Sequence, residues 1–98
     1  MQLYVIRRPS IGHTLEDLQA AAGRSRQVGD EEMSADIRWI RSYVVEEADG
    51  TLGTICIYQA SSPEKIREHA QRADLPATEI FTVADTVVVR PDPVSVAA

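Results

Sequence analysis

The residues of this chain best suited to chemistry are two histidines, one cysteine and a few clusters of acids. His69 stands in Arg67-Glu68-His69-Ala70. Ile66, Ala70 and Ala73 recur there at helical spacing, and His69 falls on the border of that apolar stripe. A border imidazole can reach either an interior pocket or solvent. Imidazole and carboxylate together suit nickel, copper or zinc, so His69 with its neighbour Glu68 is the first candidate metal anchor. The plainer alternative is a partly buried helix histidine satisfied by a backbone group or a carboxylate. Glu68 is also spaced to pair with Arg72 one turn on. His13 precedes a helix cap in a loop. It joins a metal site only if the fold or a second subunit brings another donor to it.

Cys56 lies between Ile55 and Ile57 in a strand pattern and reads as a small buried hydrophobe, since a reactive thiol needs an electropositive, accessible setting. Glu46, Glu47 and Asp49 flank a turn, and Asp30, Glu31 and Glu32 follow a helix; runs of this kind are usually solvated faces. Arg7, Arg8, Arg38 and Arg41 could receive an organic anion in a cleft or pair with nearby acids. Trp39 and Tyr43 read as core or dimer contacts, with the wall of a small-molecule pocket as the alternative. Phosphate-loop, Cys-x-x-Cys, His-Glu-x-x-His and Gly-x-Ser-x-Gly patterns are absent from the sequence.

Composition narrows the classes. The chain has 98 residues, 44% of them apolar and 26% charged, which is ordinary globular usage for one small domain. Fifteen acids against ten Lys plus Arg give a net charge of −5, a surface that phosphate backbones and anionic membranes repel. A lone cysteine forms no internal disulfide and suits a reducing compartment. The amino end has its basic pair, Arg7-Arg8, after the apolar run rather than before it, unlike an export signal. No apolar run approaches the ~20 residues of a membrane span. The expectation is a cytoplasmic protein.

The elements that must hold these residues follow from periodicity. Residues 2–8 alternate as a first strand, with Leu3 and Val5 on one face and Tyr4 and Ile6 on the other. Residues 9–13 read as a loop. Thr14 with Asp17 makes a capping box, imperfect because Asp replaces Glu, and Leu15, Leu18 and Ala22 form the stripe of a first helix. Gly23 and Gly29 leave its end open, and residues 29–32 read as a solvated stretch. Residues 37–47 form a second strand, with Ile37, Trp39, Arg41, Tyr43 and Val45 on one face and Arg38, Ile40, Ser42 and Val44 on the other. Asp49-Gly50 signals a hairpin into a third strand at 52–60. Ser62 caps a second helix with Pro63 at its first position, and Leu75-Pro76 stops it. Residues 79–83 form a fourth strand and 86–89 a short fifth. Residues 1–90 make one domain, and 91–98 a loose tail or an arm lying on a partner.

This order, two β-α-β halves, predicts an α+β fold: a ferredoxin-like β-α-β-β-α-β sandwich with one antiparallel sheet and both helices on one face. The other face is left with apolar groups in water, and the natural cover is the same face of a second copy, making a homodimer through the sheet.

The run Ile37-Arg38-Trp39-Ile40-Arg41-Ser42-Tyr43-Val44, then Ile55-Cys56-Ile57-Tyr58-Gln59-Ala60, then Pro63-Glu64-x-Ile66-Arg67-Glu68-His69-Ala70, then Leu75-Pro76-Ala77 and Glu79-Ile80, resembles a small bacterial family of unknown function. The best-studied type of that family is a nickel-binding, ferredoxin-like dimer. The likeness covers roughly residues 2–85. It implies a ferredoxin-like subunit, a homodimer and surface sites for nickel, with His69 the position that matches. The chain departs from the type in the charged stretch around 29–33 and in a longer tail after Asp85.

Three readings compete. The first is a non-enzymatic protein that binds nickel through His69, His13 and carboxylates such as Glu68. The second is an interaction dimer without ligand. The third is a small ferredoxin-like enzyme of monooxygenase, isomerase or cyclase type, with His69 as general acid or base in a pocket between helices and sheet.

Overall fold

The computed structural model describes residues 1–93. Four strands, β1 (Gln2–Gly12), β2 (Ile37–Glu46), β3 (Leu52–Ala60) and β4 (Glu79–Thr82), form one sheet in the order β2-β3-β1-β4, every pair antiparallel. The helices α1 (Leu15–Gln27) and α2 (Pro63–Arg72) lie between β1 and β2 and between β3 and β4 in the chain. This is the expected α+β split β-α-β sandwich. No helix among the described residues is long and apolar enough to cross a membrane.

Local chemistry sets the helix starts. Thr14 Oγ1 accepts from the Asp17 N–H at 3.2 Å while Asp17 Oδ2 accepts from the Thr14 N–H, closing a full capping box. Ser62 accepts from the Lys65 N–H and Pro63 opens α2, as the sequence predicts. The α1 stripe differs from expectation. Leu18, Ala21 and Ser25 are buried, Ala22 is half-buried, and Leu15 is exposed. Leu18, Ala21, Ser25 and Val28 follow one another at helical spacing, and α1 continues into a π-helical turn (Val28–Glu32) that carries this stripe onward through the buried Val28. The acids of that turn stay exposed.

Three strand expectations are corrected. β1 continues through Pro9 to Gly12; its pairing with β3 is irregular between Arg8 and Gly12, where Ser10 takes a φ of 52°, and a proline is tolerated there because no ladder N–H is needed. In β2 a bulge sits between Trp39 and Arg41: Trp39 opposes Tyr58 and Arg41 opposes Ile57. The extra residue, Ile40, shifts the alternation by one. Ile37 and Trp39 therefore share the helix side with Ser42 and Val44, while Arg41, Tyr43 and Val45 turn to the open side. The fifth strand does not form. The Val83 N–H donates to the Leu3 carbonyl at 2.9 Å and the Gln2 amide donates to the Val83 carbonyl. The pairing with β1 stops there, and Val87, Val88 and Val89 are exposed.

The core between sheet and helices is built from Tyr4 and Ile6 of β1, Ile37 of β2, Cys56, Tyr58 and Ala60 of β3, Ile66 of α2, and Val28, Met33 and Ala73. The opposite face of the sheet carries Leu3, Val5, Arg7, Arg41, Tyr43, Val45, Ile55, Ile57 and Phe81, by register with one another. No helix covers it. Asp92, from the segment expected to be loose, reaches Arg41 Nη1 at 2.7 Å and accepts from the Tyr43 hydroxyl at 2.6 Å, tying that segment to one edge of the open face. The remainder of the predicted tail, 94–98, lies outside the described residues.

Candidate functional site

The candidate residues fall into three separate environments. His69 is in the core, only 1% exposed, on the face of α2 that meets the sheet. Its Nε2 lies 3.0 Å from the Ser25 carbonyl, an acceptor only, so Nε2 carries the proton and donates. Nδ1 is buried with no partner among the described residues. The ring meets Tyr58 edge-on, with centroids 5.3 Å apart. Tyr58 in turn stacks on Trp39 and bonds through its hydroxyl to Ser25 Oγ. The Arg8 guanidinium lies 5.7 Å from the centre of the Tyr58 ring, a cation–π distance. One polar network thus runs through the core from α2 to β1, through Ser25 on α1 and Tyr58 on β3.

Its electrostatics favour neutral imidazole. Burial pushes the His69 pKa down and the nearby Arg8 charge adds to this, while the bond to Ser25 works the other way. Burial also raises the Tyr58 phenol. Because folded His69 binds its proton less readily than in the unfolded chain, its stabilising contribution is complete above the unfolded pKa of about 6.5 and is lost as pH falls from there toward the lowered folded value. The slope for one such group is at most about 1.4 kcal/mol per pH unit. We expect Tm to drop between pH 7.5 and 5.5 and the drop to shrink in His69→Gln. Equal drops in both proteins would remove His69 as the cause.

Glu68 points away from this network. It pairs with Arg72 at 2.7 Å and with Lys65 at 3.5 Å, and Arg72 also meets Glu32. These are solvated pairs on the outer side of α2. His13 is exposed at the start of α1, beside the shallow hollow it lines with Ser10, Asp17 and Arg24. Asp17 Oδ2 accepts from the His13 backbone N–H at 2.8 Å, and that bond is the first cause of a lowered Asp17 carboxyl. Asp49, lowered chiefly by its bonds to Thr51, also lies within electrostatic range of His13. Cys56 is buried and free, its thiol donating to Thr54 Oγ1 at 3.2 Å, as a small core residue would. Glu47 is taken by Arg7 at 2.9 Å.

Beside the core network is a cavity of about 210 Å³ between α1 and the sheet, lined by Trp39, Leu18, Tyr58, Arg8 and Ser25 among others. His69 does not line it. The sequence reading missed Ser25, Tyr58 and Arg8 as one constellation. The available signal was a serine and an arginine at positions whose spacing assigns them to buried faces.

Fold and topology together define a class: a small ferredoxin-like α+β domain. The chain belongs to the family of nickel-responsive SCO4226-like proteins, whose pattern it matches over residues 4–83. Among solved structures it is similar to the crystal structure of SCO4226 from Streptomyces coelicolor A3(2), with a TM-score of 0.70 and 19% identity, over 87% of this chain and 99% of that one. No curated protein matches.

A nickel centre asks for several convergent donors. Among the described residues no three His, Cys, Asp or Glu side chains converge to hold an ion. His69 offers a free Nδ1, with its other nitrogen held by a carbonyl as metal-bound histidines require, but no carboxylate joins it and the neighbouring charge is Arg8. The core therefore does not fit a dication. The exposed His13 has carboxylates nearer to it, Asp17 on its own backbone N–H and Asp49 within electrostatic range, although both are engaged in local hydrogen bonds and Arg24 lines the same hollow.

Proposed function

We propose that the protein is a non-enzymatic, cytoplasmic binder of divalent nickel that works as a homodimer. The observation that carries this reading is membership of a family described as nickel-responsive. Support for the dimer comes from the sheet face opposite the helices, where Tyr43 and Phe81 are 43% and 51% exposed beside Leu3, Val5, Ile55 and Ile57. An apolar face of this kind is normally an interaction surface, and a two-fold axis would cover it with its own copy. A free, buried cysteine suits the reducing cytoplasm.

Of the residues first considered for the metal, His13 is the one we propose as anchor, with Asp17 and Asp49 as carboxylate donors. His69 and Glu68 have the support of the sequence resemblance, but His69 sits in the core and Glu68 in surface ion pairs. The two assignments separate in equilibrium dialysis against nickel. His13→Ala is expected to weaken binding at least tenfold, and His69→Gln to leave it within about twofold. The reverse order would return the anchor to His69, and no change in either variant would remove both.

A further inference from the structure

We propose that the cavity between α1 and the sheet is a binding site for a small organic acid, whose carboxylate is held by Arg8. Arg8 is 1% exposed and forms no ion pair among the described residues. Its Nη1 donates to the Pro76 carbonyl at 2.6 Å. Nε and Nη2 are buried and have no hydrogen-bond partner among the described residues. Those two N–H groups share one edge of the guanidinium and point parallel, the fork that a carboxylate accepts in bidentate fashion. Nothing that lines the cavity is acidic. The Tyr58 ring attracts the cation but does not neutralise it. An arginine cannot escape burial by losing its proton, so an uncompensated one is a heavy burden on the fold unless an anion completes it.

The cavity supplies the rest of the recognition. Leu18, Ala21 and Trp39 offer apolar wall, and Ser42 and Thr54 offer hydroxyls. Its volume of about 210 Å³ lies below the ~300–1,000 Å³ of drug-sized sites, which selects a short monocarboxylate with an apolar body. Nε and Nη2 touch no water-sized space in this conformation, so the acid reaches them by a turn of the guanidinium toward the cavity that Arg8 lines, and the pair then forms in a low dielectric, where charge-assisted bonds are strong. Ile11, Ala22 and Leu75, which also line it, are only half-buried. The site is independent of nickel and of the residues proposed to hold it.

Trp39 is the only tryptophan and lines the cavity, so its fluorescence reports on occupancy. The test titrates the full chain, in chelator, with hexanoate, 1-hexanol and hexylamine. Hexanoate is expected to give a saturable change at millimolar concentration or below, with the alcohol and the amine at least tenfold weaker. Arg8→Met is expected to remain folded, since it removes an unpaired buried charge, and to lose hexanoate binding at least tenfold. Ala22→Leu fills the cavity without touching Arg8 and is expected to lose it equally, with an unchanged circular dichroism spectrum. The proposal is overturned if hexanoate gives no saturable change, if hexanol binds as tightly, or if either folded variant binds hexanoate like the parent.

Discussion

Replacing Tyr58 with alanine is expected to destabilise the fold by about 3–5 kcal/mol, the range found when large buried aromatic residues are truncated. The side chain is 1% exposed and is the point where four elements meet: Trp39 of β2 stacked on its ring, His69 of α2 at its edge, Arg8 of β1 in cation–π range and Ser25 of α1 on its hydroxyl. Truncation would open a void next to an existing cavity and strand the Ser25 hydroxyl. Small domains have only about 5–15 kcal/mol of stability, so the variant would be close to unfolding at body temperature. Tyr58→Phe keeps the ring and removes only the hydroxyl bond, and is expected to cost about 1–2 kcal/mol. Urea midpoints at constant slope measure both. A loss below about 1 kcal/mol for Tyr58→Ala would mean that the core does not converge on this ring.

The second large effect is expected at the open face. Ile57 stands near its centre, opposite Val5 on one side and Arg41 on the other. In the isolated chain it is half-buried, so an aspartate there can reach water and the subunit keeps its fold. Between two copies the same charge would be shut into an apolar interface, where an unpaired carboxylate is far too costly to retain. Ile57→Asp is therefore expected to sediment as a monomer at concentrations where the parent sediments as a dimer, with unchanged circular dichroism. A parent that is monomeric at high concentration would take away the homodimer, and a variant that stays dimeric would move the interface to another surface.

The fold was largely legible because its signals are local. Ser62-Pro63, Thr14 with Asp17, and Asp49-Gly50 each mark a cap or turn whose chemistry needs no partner from elsewhere. What escaped depends on tertiary context. The bulge at Ile40 was invisible because β2 carries apolar groups on both faces, so shifting the alternation by one leaves an equally plausible pattern. Pro9 read as the end of β1 because a proline breaks a regular ladder, and only the irregular pairing with β3 accommodates it. Val87 to Val89 have strand composition but no strand to join. The candidate site was least legible. His69 sat on a helical border, and burial was decided by the rotation of α1, which brought the Ser25 carbonyl to its ring. Arg8 read as one of four arginines that either receive an anion in a cleft or pair with nearby acids, and nothing local announces that Pro76 and Tyr58 close over it.

The most direct test of the nickel reading is a calorimetric titration of the metal-free protein with nickel, with zinc and cobalt run alongside under the same conditions. Wild-type protein is expected to bind nickel saturably at micromolar concentration, and His13→Ala to weaken that binding at least tenfold. A folded protein that takes up no nickel, or takes it up undiminished in His13→Ala, would contradict that reading.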